Sequence, residues 1–173
     1  MKILFSVLFL TIFTACPALC MTTWETYLSN PTPELASKVS KVEYSKDSET
    51  GKQGYYAPDL EILRNQVLAG DSEAFRLVYR LLEKTDGGLL EDLTVIISHT
   101  IRARPDFFLK ELSIQQPNTN VLKSILLMPG LEYTDRIEAQ QYELKMRAKA
   151  LEQVKTISLK SFRDKCVRII RNN

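Results

Sequence analysis

Apolar residues recur at helical spacing along most of the chain after residue 58. Leu60, Leu63 and Val67 are three and four residues apart, which places them on one face of a helix. No strand-like alternation of apolar and polar residues persists over a useful length. The pattern therefore predicts an all-α fold. The same spacing recurs in the following segments: Phe75, Val78, Leu81 and Leu82; Leu89, Leu93, Ile96, Ile97 and Ile101; Phe107, Phe108 and Leu112.

Turn and cap residues separate these helices closely. Asp59 is expected to cap the first helix, Gly70 to end it and Asp71 to cap the second. Residues 86–88 (Asp-Gly-Gly) form a turn, and Pro105 ends the third helix and opens a fourth. Because turns this short make neighbouring helices pack antiparallel, we predict an irregular bundle of helical hairpins. A HEAT-like solenoid is an alternative, although neither segment lengths nor turn residues recur.

The segment before this block predicts two short helices and a loop. Thr22 and Glu25 have the spacing of a capping box, and Thr32 before Pro33 is typical of a helix start. Residues 45–58 are polar and contain two glycines, which predicts a loop. Its aromatic pair, Tyr55 and Tyr56, either covers the edge of the core or contacts a partner.

Beyond the central block, one helix is predicted from Val121 to Met128 and a longer one from Thr134. The longer helix carries Ile137, Leu144 and Leu151 at heptad spacing. Because this apolar stripe is narrow, the helix is expected to contact the core along one edge.

A final helix carries Cys166 at core spacing with Leu159, Phe162 and Ile169. A reactive thiol needs an accessible, electropositive setting. Lys165 and Arg168 are close in sequence, but the apolar spacing points the thiol inward. We therefore predict a buried, unreactive Cys166 rather than a nucleophile.

The first 20 residues have a different pattern. Lys2 precedes an apolar run from Ile3 to Phe13, and small residues follow as far as Cys20. The run is well short of the roughly 20 residues that span a bilayer. We therefore predict a secretory signal peptide at residues 1–20, followed by a single helical domain at residues 21–173.

Two processing routes for the signal peptide remain open. Cleavage after Cys20 would give a periplasmic or secreted protein that begins at Met21. Alternatively, residues 13–16 (Phe-Thr-Ala-Cys) resemble a bacterial lipobox, although Leu is preferred at the first position. Cys16 would then be lipidated, and the product would be a membrane-anchored lipoprotein with peripheral membrane contact. No transmembrane helix is expected in the mature chain.

Charge is unevenly distributed. The formal net charge of the whole chain is +2, which gives no reason to expect nucleic-acid binding. Residues 59–111 contain ten acidic and seven basic residues, a net of −3, whereas residues 135–173 contain five acidic and ten basic residues, a net of +5. These basic C-terminal helices are a candidate surface for a protein partner, with Lys160, Arg163 and Arg168 as candidate contacts.

Residues that could support catalysis are few. His99 is the only histidine and has no cysteine or carboxylate immediately beside it, so we predict a helix-face imidazole. No metal-binding, phosphate-binding or other cofactor motif is present, so no metal or cofactor is predicted. The acid pairs Glu91-Asp92 and Glu83 with Asp86 could serve hydrolysis of envelope sugars. A position in the first turn of a helix explains Glu91 and Asp92 equally well.

The turn and cap residues of the central block also carry a resemblance. Residues 69–71 (Ala-Gly-Asp), residues 86–93 and the Pro-x-Phe-Phe run at residues 105–108 resemble uncharacterised exported helical proteins of Gram-negative bacteria. The resemblance covers about a quarter of the chain. It implies a shared helical fold and an envelope location, and it supplies no activity and no catalytic residue.

Two functions are consistent with the sequence. The favoured one is a non-enzymatic binding or adaptor protein of the envelope, for example an immunity or inhibitor protein. The alternative is a carboxylate-dependent envelope hydrolase.

Overall fold

The computed structural model describes residues 21–42, 45–46, 53–54, 57–128, 130 and 135–173. Within these residues the fold is all-α, as predicted, apart from one ladder of two antiparallel two-residue strands. The elements in chain order are α1 (Thr23–Ser29), α2 (Pro33–Lys38), β1 (Ser45–Lys46), β2 (Gln53–Gly54), α3 (Ala57–Ala69), α4 (Ser72–Leu82), α5 (Gly87–Ala103), α6 (Pro105–Gln115), α7 (Thr119–Leu127), α8 (Ile137–Glu152), a 3-10 turn (Ile157–Leu159) and α9 (Lys160–Arg171).

Helix α5 lies at the centre of the packing. It contacts α3, α4, α6, α7 and α8. Leu93, Ile97 and Ile101 are fully buried on it, which matches the apolar positions predicted for this helix. One hydrophobic cluster extends from Trp24 in α1 to Ile170 in α9. A HEAT-like arrangement and a set of antiparallel hairpins stay predictions.

Side-chain caps fix several helix starts where the sequence indicated them. The capping box before α1 is confirmed: Thr22 Oγ1 accepts from the Glu25 amide at 3.1 Å, and Glu25 Oε2 accepts from the Thr22 amide at 2.9 Å. Asp71 Oδ1 accepts from the amides of Glu73 and Ala74 at the start of α4. Each of these caps pairs amides that have no partner inside the helix.

Three expectations about helix geometry are wrong. Asp59 is not the cap of α3, because the helix begins at Ala57 and includes Asp59 in its first turn. Since α5 begins at Gly87, Glu91 and Asp92 lie beyond its first turn, so the helix dipole does not explain them. Ile137 is 71% exposed, so only Leu144 and Leu151 of the heptad stripe pack in or against the core, beside Ala148 and a buried ion pair.

A clamp joins the α3–α4 turn to the α5–α6 turn. Gly70 has φ +95°, a left-handed conformation that favours glycine. The Arg104 guanidinium lies against Gly70 and donates to the carbonyls of Leu68 and Ala69 at the end of α3. It also lies 5.9 Å from the centre of the Phe107 ring. The clamp therefore satisfies carbonyls that the helix leaves unpaired.

Candidate protein-binding groove

Arg147 of α8 is 1% exposed and joins three helices. Its Nη1 donates to the carbonyls of Leu126 at 3.1 Å and Met128 at 2.9 Å, at the end of α7. Its Nη2 lies 3.5 Å from Ser98 Oγ of α5. The guanidinium thus supplies donors to unpaired carbonyls and fixes α8 against α5 and α7.

Glu143 balances the charge of Arg147. Its Oε1 accepts from Arg147 Nε at 3.1 Å, and its Oε2 accepts from Arg102 Nη1 at 2.6 Å. Glu143 itself is buried, whereas Arg102 is partly exposed. The carboxylate therefore bridges a buried and a more exposed guanidinium, which holds the inner face of α8 in one position.

A groove of about 720 Å³ opens between α8 and the end of α9. Leu144, Ala148 and Ile170 supply apolar surface to it and pack in or against the core. Tyr142 stands at the groove and is 62% exposed. The remaining lining residues are Gln141, Lys145, Met146, Lys149, Glu152, Arg171 and Asn173.

The charges of this groove are unevenly compensated. Arg171 forms an ion pair with Glu152, so these two opposite charges neutralise each other. Lys145 and Lys149 are exposed on α8 one helical turn apart, and neither makes an ion pair within the described part of the chain. The groove therefore combines apolar surface with two uncompensated positive charges.

The predicted contact residues lie outside this groove lining. Lys160 and Arg163 both bind Asp164, and Arg163 Nη1 also donates to the Val154 carbonyl at 2.6 Å. Hydrogen bonds from Lys160 and then Arg163 lower the pKa of the Asp164 carboxyl. Arg168 is exposed and makes no ion pair among the residues that the structure describes.

Three other predicted sites cannot be placed. Tyr55, Tyr56 and Cys16 lie outside the described residues, so the aromatic pair and the lipidation site stay predictions.

Of the four acidic residues proposed for hydrolysis, Asp92 lies in a small depression of the surface, apart from Glu91. Asp92 lines a depression of about 200 Å³ with Glu61 and Arg64, whereas Glu91 is exposed outside that lining. Arg64 Nη2 binds Glu61 Oε1 at 3.1 Å. Glu83 and Asp86 are exposed on the surface near the start of α5. The depression thus brings Asp92 to Glu61, a pairing that the adjacent positions in sequence did not indicate.

Cys166 and His99, the remaining candidates for catalysis, both lie on helices and are at least partly buried. Cys166 is fully buried, as predicted, and burial raises the pKa of its thiol to about 12. His99 is partly buried on α5. Across the described ranges, no group of three or more His, Cys, Asp or Glu side chains is arranged to hold a metal ion. In the same ranges, no helix is both long enough and apolar enough to cross a bilayer.

Comparison of the chain with protein-family models, with curated proteins and with solved structures yields no match.

The α8–α9 groove is the feature of the described residues best suited to contact another molecule. It offers apolar surface, positive charge and an exposed aromatic ring, and aromatic side chains are enriched at protein-binding surfaces. The sequence indicated the basic character of this region. It did not indicate the groove, because the lining comes from two helices, α8 and the end of α9, that only the fold brings together.

Proposed function

We propose that this chain is an exported bacterial envelope protein that binds a protein partner through the α8–α9 groove. Export is supported by the signal-peptide pattern of residues 1–20. Binding is supported chiefly by one observation, the open groove with apolar surface beside two lysines that form no ion pair with a carboxylate of the described residues. An immunity or inhibitor protein is one concrete form of this function.

The way in which the buried face of α8 is held also supports a role of its exposed face in binding. Arg147 and Glu143 hold the inner face of the helix, so the outer face is presented without large rearrangement. A preorganised surface spends less conformational entropy on binding than a mobile one. The hydrolase alternative has less support, because Asp92 lines a depression of about 200 Å³ that does not include Glu91.

Site-specific photo-crosslinking tests the location of binding. A photoreactive amino acid replaces Tyr142 in the groove, and in a matched variant it replaces Ile157, which is 88% exposed in the 3-10 turn. We expect a discrete protein adduct from position 142 in intact cells and none from position 157. Equal crosslinking at both positions, or none at position 142, would contradict the proposal.

Intact-mass measurement of the product from the cell envelope tests export and processing. A chain that begins at Met21 identifies cleavage after Cys20, and a diacylglycerol-modified Cys16 identifies a lipoprotein. A cytoplasmic product that retains residues 1–20 would contradict export while leaving the groove crosslinking experiment valid.

A further inference from the structure

We infer that the partner segment in the α8–α9 groove is an amphipathic helix with carboxylates along one edge of its apolar stripe. The inference rests on the proposed function and names the chemistry of the partner. Three features of the groove carry it: the length of its α8 wall, its apolar surface and the position of its uncompensated lysines.

The dimensions of the groove suit a short helix. Its α8 wall extends from Gln141 to Glu152, which corresponds to roughly 16 Å along the helix axis at about 1.5 Å per residue. This length accommodates about three turns of a second helix. A helix laid in such a groove anchors apolar side chains at positions i, i+3 or i+4, and i+7. Leu144 and Met146, which are partly exposed, and the exposed Tyr142 provide the apolar surface that those anchors need.

The charges of the groove specify the edge of the ligand helix. Lys145 and Lys149 lie on one side of α8, with their Cβ atoms about 6 Å apart as for any i, i+4 pair. Carboxylates one turn apart on a ligand helix match this spacing. Glu152 does not oppose such a ligand, because Arg171 neutralises it. Charge complementarity therefore favours an acidic helix and disfavours a basic one.

Two other occupants fit the same surface less well. A membrane surface needs apolar residues that project beyond the surrounding cations, whereas Leu144 and Met146 are only partly exposed and Lys145 and Lys149 are exposed beside them. A second copy of this chain could fill the groove only with a surface helix that carries both carboxylates and exposed apolar side chains. In α5, where Glu91 and Asp92 follow two leucines, Leu89 is buried in the core and Leu90 packs against it.

Binding of designed peptides tests the inference directly. The first probe is a fluorescent helical peptide of three to four turns with leucines at i, i+4 and i+7 and glutamates along one edge. Two matched probes carry glutamine or lysine in place of the glutamates. By fluorescence anisotropy with the mature protein, we expect the glutamate peptide to bind at least tenfold more tightly than the lysine peptide, with the glutamine peptide between them. Equal affinities for all three would overturn the inference.

Charge reversal assigns the effect to the groove. The double variant K145E/K149E is expected to weaken glutamate-peptide binding at least tenfold and to bind the lysine peptide instead. The control K110E/K165E makes the same change in net charge at exposed lysines outside the groove lining, and we expect less than a twofold effect. Circular dichroism verifies that both variants are folded. An equal loss in the two variants would overturn the assignment to the groove.

Two further measurements address the other occupants. Vesicles of phosphatidylglycerol and phosphatidylethanolamine are expected not to bind, and sedimentation is expected to show a monomer. Binding of vesicles, or dimerisation, that K145E/K149E abolishes would replace the helix with a membrane or a second copy. If adducts form at position 142 but no peptide discriminates by charge, the proposed function stands and this inference fails.

Discussion

Helices α3 to α6 and helix α8 are fixed in the fold by different kinds of interaction. In α3–α6 the largest fully buried side chains are apolar, among them Leu63, Phe75 and Phe108. In α8 the largest one is Arg147, whose guanidinium is paired with a carboxylate and two backbone carbonyls. Apolar packing of the first kind covers a helix on several sides. A localised polar anchor of the second kind leaves the outer face of α8 available for the groove.

The contrast is not absolute, because the first region also contains a buried carboxylate. Glu111 of α6 is fully buried, and it accepts from Ser72 Oγ at 2.8 Å and from Arg76 Nε at 3.2 Å. Arg76 is partly exposed and binds Glu73 as well. This pair thus lies at the edge of an apolar interface, whereas Arg147 is the centre of its own interface.

Removal of the Arg147 side chain is expected to have the largest effect. Arg147→Ala leaves Glu143 without its buried partner and the carbonyls of Leu126 and Met128 without a side-chain donor. Loss of one member of a buried ion pair typically destabilises by about 3–5 kcal/mol. Urea unfolding measures this change. Arg168→Ala, which removes the same charge from an exposed position, is the control and is expected to change stability by less than about 0.5 kcal/mol.

A double substitution separates the cost of an unpaired buried charge at Glu143 from the cost of the lost Arg147 contacts. In Arg147→Met with Glu143→Leu, neither charge remains to be compensated, so the double variant is expected to be more stable than Arg147→Met alone. A double variant that is less stable than the single variant would show that Glu143 has a stabilising role independent of Arg147, for example through Arg102.

A core truncation in the first region is expected to have the next largest effect. Leu93→Ala removes a fully buried side chain from α5 and leaves a cavity, which typically costs about 2–5 kcal/mol. Ile157→Ala removes a side chain of the same size from an exposed position and is expected to be near neutral. The crosslink from position 142 should persist in folded Leu93→Ala protein and weaken in Arg147→Ala, because only the second change removes the contacts of α8 with α5 and with the end of α7.

The two regions also differ in how well the sequence predicted them. The periodic apolar residues of α3–α6 are buried as expected, because each helix contributes its own apolar face to the core. In α8 the periodicity misled at Ile137, and Arg147 looked like one more cation of a solvated basic surface. Its burial depends on Ser98 and on the end of α7, which are 49 and 19–21 residues away in sequence. The pattern of residues within one helix does not predict contacts with such distant segments.

Substitution of two glycines is expected to have a smaller, graded effect in the first region. Gly70 and Gly87 both have positive φ, so alanine is strained at either position by about 1 kcal/mol. At Gly70 the added Cβ also meets the Arg104 guanidinium, whereas at Gly87 no atom lies within 4 Å. We expect about 2 kcal/mol for Gly70→Ala and about 1 kcal/mol for Gly87→Ala. Thermal unfolding measures both losses of stability. In an Arg104→Ala background the difference between Gly70→Ala and Gly87→Ala should become smaller, and an unchanged difference would contradict the clamp.

The smallest expected effect is on stability at alkaline pH, which distinguishes a buried group of α9 from one of α4. Burial raises the pKa of Cys166 in α9 from 9.0 to about 12, and burial followed by the Glu83 charge raises that of Tyr79 in α4 from 10.0 to about 12. Each group stays protonated in the folded chain while it ionises in the unfolded one, so stability is complete below the unfolded pKa and falls as pH rises towards 12.

The fall between pH 9 and 10 therefore reports mainly Cys166, and amounts to about 1 kcal/mol for one proton. We expect Cys166→Ala to reduce the fall in urea-derived stability over that interval by about 1 kcal/mol, and Tyr79→Phe to reduce the slope mainly above pH 10. Tyr27, whose pKa is also about 12 because of burial and the Asp71 charge, adds to the fall above pH 10 in both variants. An unchanged slope in Cys166→Ala between pH 9 and 10 would contradict the burial of the thiol in the folded chain.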